Sequence, residues 1–125
     1  MKLSALFFAA TAFGIIFSSS ADAANAKKGE KVFRKCVACH SITKGARHKI
    51  GPNLFGIVGR PSGKAPKYTY SKAIRSENLI WDEATLNNFI KNPKKLIKKT
   101  KMSFAGIRND NQRANLIEYL KTLTD

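Results

Sequence analysis

Apolar residues recur at helical spacing in three parts of the chain. Gly29, Val32, Phe33 and Cys36 fall at i, i+3, i+4 and i+7, while Glu30, Lys31, Arg34 and Lys35 lie on other faces. This is the stripe of an amphipathic helix, and it turns Cys36 inward. Towards the other end Leu116, Ile117, Leu120 and Leu123 keep the same period, with Tyr119 near that face and Asn109 or Asp110 able to cap the helix start. The two terminal helices are expected to pack together, with Gly29, which has no side chain, allowing close approach. A third helix opens at Asp82, buries Leu86, Phe89 and Ile90, and yields before Pro93, which can start a short helical turn through Ile97.

Between His40 and Trp81 neither a helical nor a strand period holds, and Gly45, Gly51, Pro52, Gly56, Gly59, Pro61, Gly63 and Pro66 punctuate the stretch. A structureless loop longer than about 20 residues counts against a compact domain unless something other than side chains helps to fill its core. A large bound cofactor would do so.

The N-terminus carries Lys2, an apolar run from Leu3 to Phe17, three serines and then Ala21-Asp22-Ala23. That is the pattern of a secretory signal with an A-x-A cleavage site. The apolar run falls short of the roughly 20 residues that span a bilayer as a helix, which favours a cleaved signal over an uncleaved anchor. The expected division is a signal peptide at 1–23 and a single domain at 24–125, placed in the periplasm. Twenty-three Lys+Arg against eight Asp+Glu give the 125-residue chain a net charge of +15. Cleavage would remove one base, Lys2, and one acid, Asp22, so the charge belongs to the domain. Such a field suits anionic partners. Nucleic acid is one class, but export separates the protein from DNA and RNA, and no helix-turn-helix, aromatic platform or zinc module is visible. Anionic lipid headgroups suit the charge better.

Cys36-Val37-Ala38-Cys39-His40 reads C-x-x-C-H, the pattern of covalent haem attachment. Two thiols at this separation can bond the two vinyl groups along one edge of a porphyrin, and the adjacent histidine then comes under the iron as an axial ligand. A disulfide between Cys36 and Cys39 would close a very short loop with poor geometry. A thioredoxin-like pair normally follows a strand in a βαβ setting, which is missing here. Zinc needs four ligands in most structural sites, and Cys39 and His40 are adjacent, awkward for one tetrahedron. For the second axial position, Met102 is the sole thioether after Met1. It could be a core filler, although Lys98, Lys99, Thr100, Lys101 and Ser103 are polar company for one. His48 would give a bis-histidine site, or simply a hydrogen-bonding loop histidine. No general acid and base are grouped as an enzyme would need.

The domain resembles the class I soluble cytochromes c, in the mitochondrial-like short branch found also in bacteria. Besides the C-x-x-C-H segment, the matching landmarks are Gly51-Pro52-Asn53-Leu54, Gly59-Arg60, Tyr68-Thr69-Tyr70, Leu79-Ile80-Trp81, Asn92-Pro93-Lys94-Lys95, Thr100 to Ile107 and Leu116 to Leu120. The resemblance implies an all-α cytochrome c fold of about four to five helices, with long loops enclosing one covalently attached haem c. It implies iron ligation by His40 and Met102, and a Pro52 carbonyl that orients His40. Arg60, Tyr70, Trp81 and Thr100, helped by Ser71, would stand near the haem propionates. The implied function is that of a monomeric one-electron carrier between a cytochrome bc complex and a terminal oxidase or a peroxidase, rather than an enzyme. Lys35, Lys49, Lys94, Lys95 and Lys101, with Lys44 and Lys64 on nearby loops, would steer acidic docking surfaces to the haem edge.

Three departures are visible. Phe89 stands where many members have tyrosine and Ile74 where many have asparagine, a drier distal side expected to alter the potential and the bond from Met102 to iron. Lys98-Lys99 replaces a common Pro-Gly, which loosens the distal loop and adds basic groups that could displace Met102 at alkaline pH.

Overall fold

The computed structural model describes residues 23–125, so the signal-peptide reading of the N-terminus lies outside the described residues. Five helices follow in order: α1 (Ala26–Phe33), α2 (Lys72–Ser76), α3 (Glu83–Lys91), α4 (Pro93–Leu96) and α5 (Asp110–Lys121). Among the described residues there is no strand, only an isolated antiparallel bridge between Pro61 and Ile80. The all-α expectation holds.

Each helix starts on a short polar residue whose side chain accepts from an amide in the first turn: Asn25, Ser71, Asp82, Asn92 and Asn109. These oxygens satisfy amides that have no partner within the helix. Asp82 and Asn109 were legible as caps. α2 was not, because the five residues Lys72–Ser76 are too short to display a period.

α1 and α5 cross closely. A β-carbon on Gly29 would stand 1.9 Å from the Asn115 carbonyl oxygen and 2.7 Å from the Tyr119 Cβ, so only glycine fits this crossing. The Asn25 amide donates to Asn115 Oδ1 at 2.7 Å, and the rings of Phe33 and Tyr119 meet at 5.7 Å. The helical stripe carried through to Cys36 in the sequence, but α1 ends at Phe33. The chain then tightens into turns, with Cys36 N donating to Phe33 O at 2.7 Å and His40 N to Cys36 O at 3.0 Å.

The core joins Phe33 of α1, Trp81, Leu86, Phe89 and Ile90 around α3, Ile97, Ile107, and Leu116, Ile117 and Leu120 of α5. Between residues 41 and 80, Ile57 alone belongs to the fully buried cluster. This stretch is held mainly by polar contacts. The Asn53 side chain donates to Thr43 O and Ala46 O and accepts from Phe55 N. Ser62 and Leu79 exchange hydrogen bonds beside the Pro61–Ile80 bridge. Such a segment closes around something rather than packing on itself.

Candidate functional site

What the long segment closes around is a cavity of about 440 Å³, in the size range of ligand sites. Its wall includes Cys36, Cys39 and His40 from the turns after α1, Pro52 and Leu54, Tyr68 and Tyr70, Ile74 of α2, Trp81, Leu86 and Phe89 around α3, and Met102. Leu116 and Leu120 of α5 line it as well. The terminal helices and the long loop therefore share one lining.

His40 is buried, and its ring is fixed on two sides. Nδ1–H donates to the Pro52 carbonyl at 2.7 Å, which leaves Nε2 with a free lone pair. A β-carbon on the neighbouring Gly51 would fall 2.4 Å from His40 Cε1, so a side chain there would displace the ring. Burial lowers the His40 pKa, with the Pro52 bond opposing and Lys49 assisting, and the neutral imidazole is the form that can donate to a metal. Cys36 and Cys39 are free thiols, partly exposed to the cavity. Burial first, and Cys39 second, push the Cys36 thiol up to about 11, with Lys35 pulling the other way. Among the described residues no three His, Cys, Asp or Glu side chains cluster as a metal site.

His48 is not on the wall. Its Nδ1 accepts from Asn53 N at 2.9 Å and its Nε2–H donates to Pro66 O at 2.7 Å, so both nitrogens are engaged in tying loops together. Of the four residues expected beside the propionates, Tyr70 and Trp81 line the cavity, whereas Arg60 and Thr100 stand outside the lining. The Arg60 guanidinium donates to Asn53 O and Phe55 O, and its buried Nε has no partner. An orphaned donor of this kind, close to a cavity, is one that an anionic group could satisfy. Thr100 turns its hydroxyl to Met102 N, from which it accepts at 3.3 Å. Two residues the sequence did not single out for a role belong to the site. Gly51 makes room for His40, and Tyr68 lines the cavity while its hydroxyl donates to Ile50 O at 2.7 Å. Gly51 and Pro52 were visible as loop punctuation and as a family landmark, but neither told of a ring lying against the glycine.

The charge is unevenly placed. The lining has Lys35 and Lys101 and no acid. Lys49 reaches the Val37 carbonyl, and Lys101 reaches Thr69 O and lies 4.9 Å from the centre of the Tyr68 ring. Four of the acids form ion pairs elsewhere: Asp110 with Arg113, Glu83 and Glu118 with Lys121, and Asp125 with Lys44. Lys44 is therefore tied to the C-terminal residue rather than lining the cavity.

A sequence model of the cytochrome c family matches residues 26–124, nearly the whole described chain. The protein belongs to the cytochrome c family. It is 50% identical over 101 residues to the cytochrome c of Sesamum indicum, covering 80% of this chain and 91% of that one. It is 43% identical over 95 residues to the cytochrome c of Kluyveromyces lactis, covering 75% and 86%. It is also 50% identical over 91 residues to cytochrome c-550 of Bradyrhizobium diazoefficiens, covering 73% and 67%. Membership of this family makes the cofactor haem c, bound covalently at the Cys36-x-x-Cys39-His40 spacing, and the protein a monohaem electron carrier that meets redox partners. The cavity suits this group: free thiols, an oriented neutral imidazole, largely apolar walls and an orphaned guanidinium nitrogen nearby.

The comparison corrects one expectation. Plant and yeast cytochromes c are mitochondrial proteins of the intermembrane space, and this overturns the periplasmic placement drawn from the N-terminal segment.

Proposed function

We propose that this cytochrome c carries one electron at a time with His40 and Met102 as axial iron ligands, and that it shuttles between a cytochrome bc complex and a terminal oxidase or similar acceptor. The observation that supports this reading is the meeting of two distant segments, Cys36 to His40 and Met102, on one cavity. The haem iron supplies the one-electron couple. The protein's part would be to hold the group through His40 and Met102 and to keep water from it. His40, its Nδ1 committed to Pro52, offers Nε2 without rotating. Met102 offers a soft, neutral thioether that favours the reduced state. Leu86, Phe89, Ile90 and Leu116 exclude water from the wall. Tyr70 and Trp81, with Tyr68 and Ser71, are among the lining residues able to donate to the propionates, and Arg60 adjoins Tyr70 from outside the lining.

Lys35 and Lys101 on the lining, with Lys49 near His40, give the site a positive rim. Such a rim draws an acidic docking surface by long-range attraction, while a small interface releases it quickly. Electron-transfer rates with an acidic partner are accordingly expected to fall as salt rises.

The deciding experiment is the optical spectrum of the holoprotein, oxidised and reduced, beside that of Met102→Ala. Sharp reduced bands, with a weak methionine–iron band in the oxidised form that Met102→Ala abolishes, support the assignment. A wild-type spectrum without that band, or one that Met102→Ala leaves unchanged, refutes methionine ligation.

A further inference from the structure

We propose that Gly106 and Thr100 are positioning residues that clamp the two ends of segment 100–106 and so hold Met102 in register with the cavity; this rests on Met102 being the distal iron ligand. Met102 lies between α4 and α5 in a segment with no helical hydrogen bonds of its own. Methionine has three rotatable side-chain bonds, so its sulfur stays in place only if its backbone does.

At the leading end, Thr100 N donates to Ile97 O at 3.0 Å, and the Thr100 hydroxyl accepts from Met102 N at 3.3 Å. Ile97 is fully buried and gives this end a firm base. At the trailing end the chain returns over the C-terminal end of α3. Gly106 has φ +97°, which side chains rarely adopt. A β-carbon there would stand 2.2 Å from Lys91 O, 2.8 Å from Lys91 C and 3.1 Å from Ile90 O. All three are backbone atoms at the helix end, and none can turn aside as a side chain could. This close approach brings Ile107 N to 2.9 Å from Ile90 O and buries the Ile107 side chain in the core. Met102 is four residues upstream. A side chain at 106 must lift the return chain off α3, and the slack passes into the segment that presents the thioether. A displacement of about 1 Å is enough to loosen a preorganised site.

The test uses ferric holoprotein and imidazole as the probe, with the methionine–iron band as a second readout. Imidazole binds only the form that Met102 has left, so its apparent affinity scales with the population of that form. Gly106→Ala is expected to weaken or abolish the band and to raise imidazole affinity by about tenfold or more, equivalent to about 1.4 kcal/mol. Thr100→Val keeps the side-chain volume and loses the acceptor. It should move both readouts in the same direction by less, and it carries the test if Gly106→Ala does not fold. Gly29→Ala overpacks the α1–α5 crossing instead, and is expected to lower the melting temperature while leaving imidazole affinity as in wild type. A folded Gly106→Ala or Thr100→Val with wild-type band and affinity overturns the proposal for that residue. So does a Gly29→Ala variant that binds imidazole as tightly as Gly106→Ala, since the effect would then be general loosening. Met102→Ala sets the ceiling of imidazole affinity; if it matches wild type, the ligand assignment itself fails, independently of the clamp.

Discussion

Replacing Gly29 by alanine sets two effects of opposite sign against each other. Glycine inside a helix is about 1 kcal/mol worse than alanine, so with open space at the crossing the variant would be stabilised by about that much. The space is not open: the new methyl would sit 1.9 Å from the carbonyl oxygen of Asn115, a backbone atom of α5 that no rotamer change can move. The helices must part instead. Overpacking of a tight contact costs about 1–3 kcal/mol. Parting also stretches the hydrogen bond from Asn25 N to Asn115 Oδ1, worth about 1 kcal/mol, and the Phe33–Tyr119 ring pair, worth about 0.5–1.5 kcal/mol. Set against the propensity gain, the expected net loss is about 2 kcal/mol. For a domain of this size each kcal/mol moves the melting temperature by about 4–8 °C, so a fall of about 8–16 °C is expected. Urea unfolding of the holoprotein, followed by far-ultraviolet circular dichroism, should show a lower midpoint with an unchanged slope. A variant as stable as wild type, or more stable, would refute a closed crossing and with it the account of why glycine stands at 29.

Other perturbations test other parts of the molecule. Arg113 is buried, donating to Ile107 O, Arg108 O and Asn87 Oδ1, so Arg113→Met strands several acceptors and should cost about 2–4 kcal/mol in urea unfolding; a loss below about 0.5 kcal/mol would show that these bonds are not needed. The Asp82 carboxylate accepts from Thr85 N, which lowers its pKa, so its contribution is present above the ordinary carboxylate range near ~4 and is lost as pH falls through the lowered value. Asp82→Ala should therefore be less stable than wild type at neutral pH and converge with it in acid; a gap that stays constant with pH would contradict this. Phe89→Tyr adds a hydroxyl to the wall that carries Met102 and Ile74, and a hydrogen bond to the sulfur would weaken its donation to iron. The expected result is a higher reduction potential and easier displacement of Met102 by imidazole, read by redox titration and ligand binding; no change in either would mean that the hydroxyl does not reach the sulfur.

Much of this molecule was legible in its sequence, and the parts that were not have a common cause. α1, α3 and α5 bury one face against protein, so their apolar residues repeat at 3.6 and their caps stand where the repeat begins. α2 has no buried residue and only five positions, leaving no period to detect. α1 stops short of Cys36 because the turns that follow it carry the cysteines and His40 to the cavity, while the apolar spacing runs on regardless. Arg60 and Thr100 were expected beside the propionates by resemblance alone. Resemblance aligns positions, but it does not say which atom a hydroxyl faces, and Thr100 faces Met102 N.

The long stretch from 41 to 80 makes the deeper point. Its irregularity reads as weakness, since Ile57 alone joins the contiguous buried cluster. Yet its backbone is bound at many places: His48 joins Asn53 to Pro66, Tyr68 joins Ile50, Ser62 joins Leu79, and Gly59 N reaches Trp81 O. These bonds fix a shape whose apolar side chains, Leu54, Ile57 and Ile74 among them, face the cavity. Side chains that line a cavity gain their burial from what fills it. Haem c is then a structural element as well as a redox centre, and the stretch carries no period because its packing partner is not another helix or strand. Glycines at 51 and 106 follow the same logic on a smaller scale. Each removes a side chain where backbone must approach something unyielding, the His40 ring in one case and the end of α3 in the other.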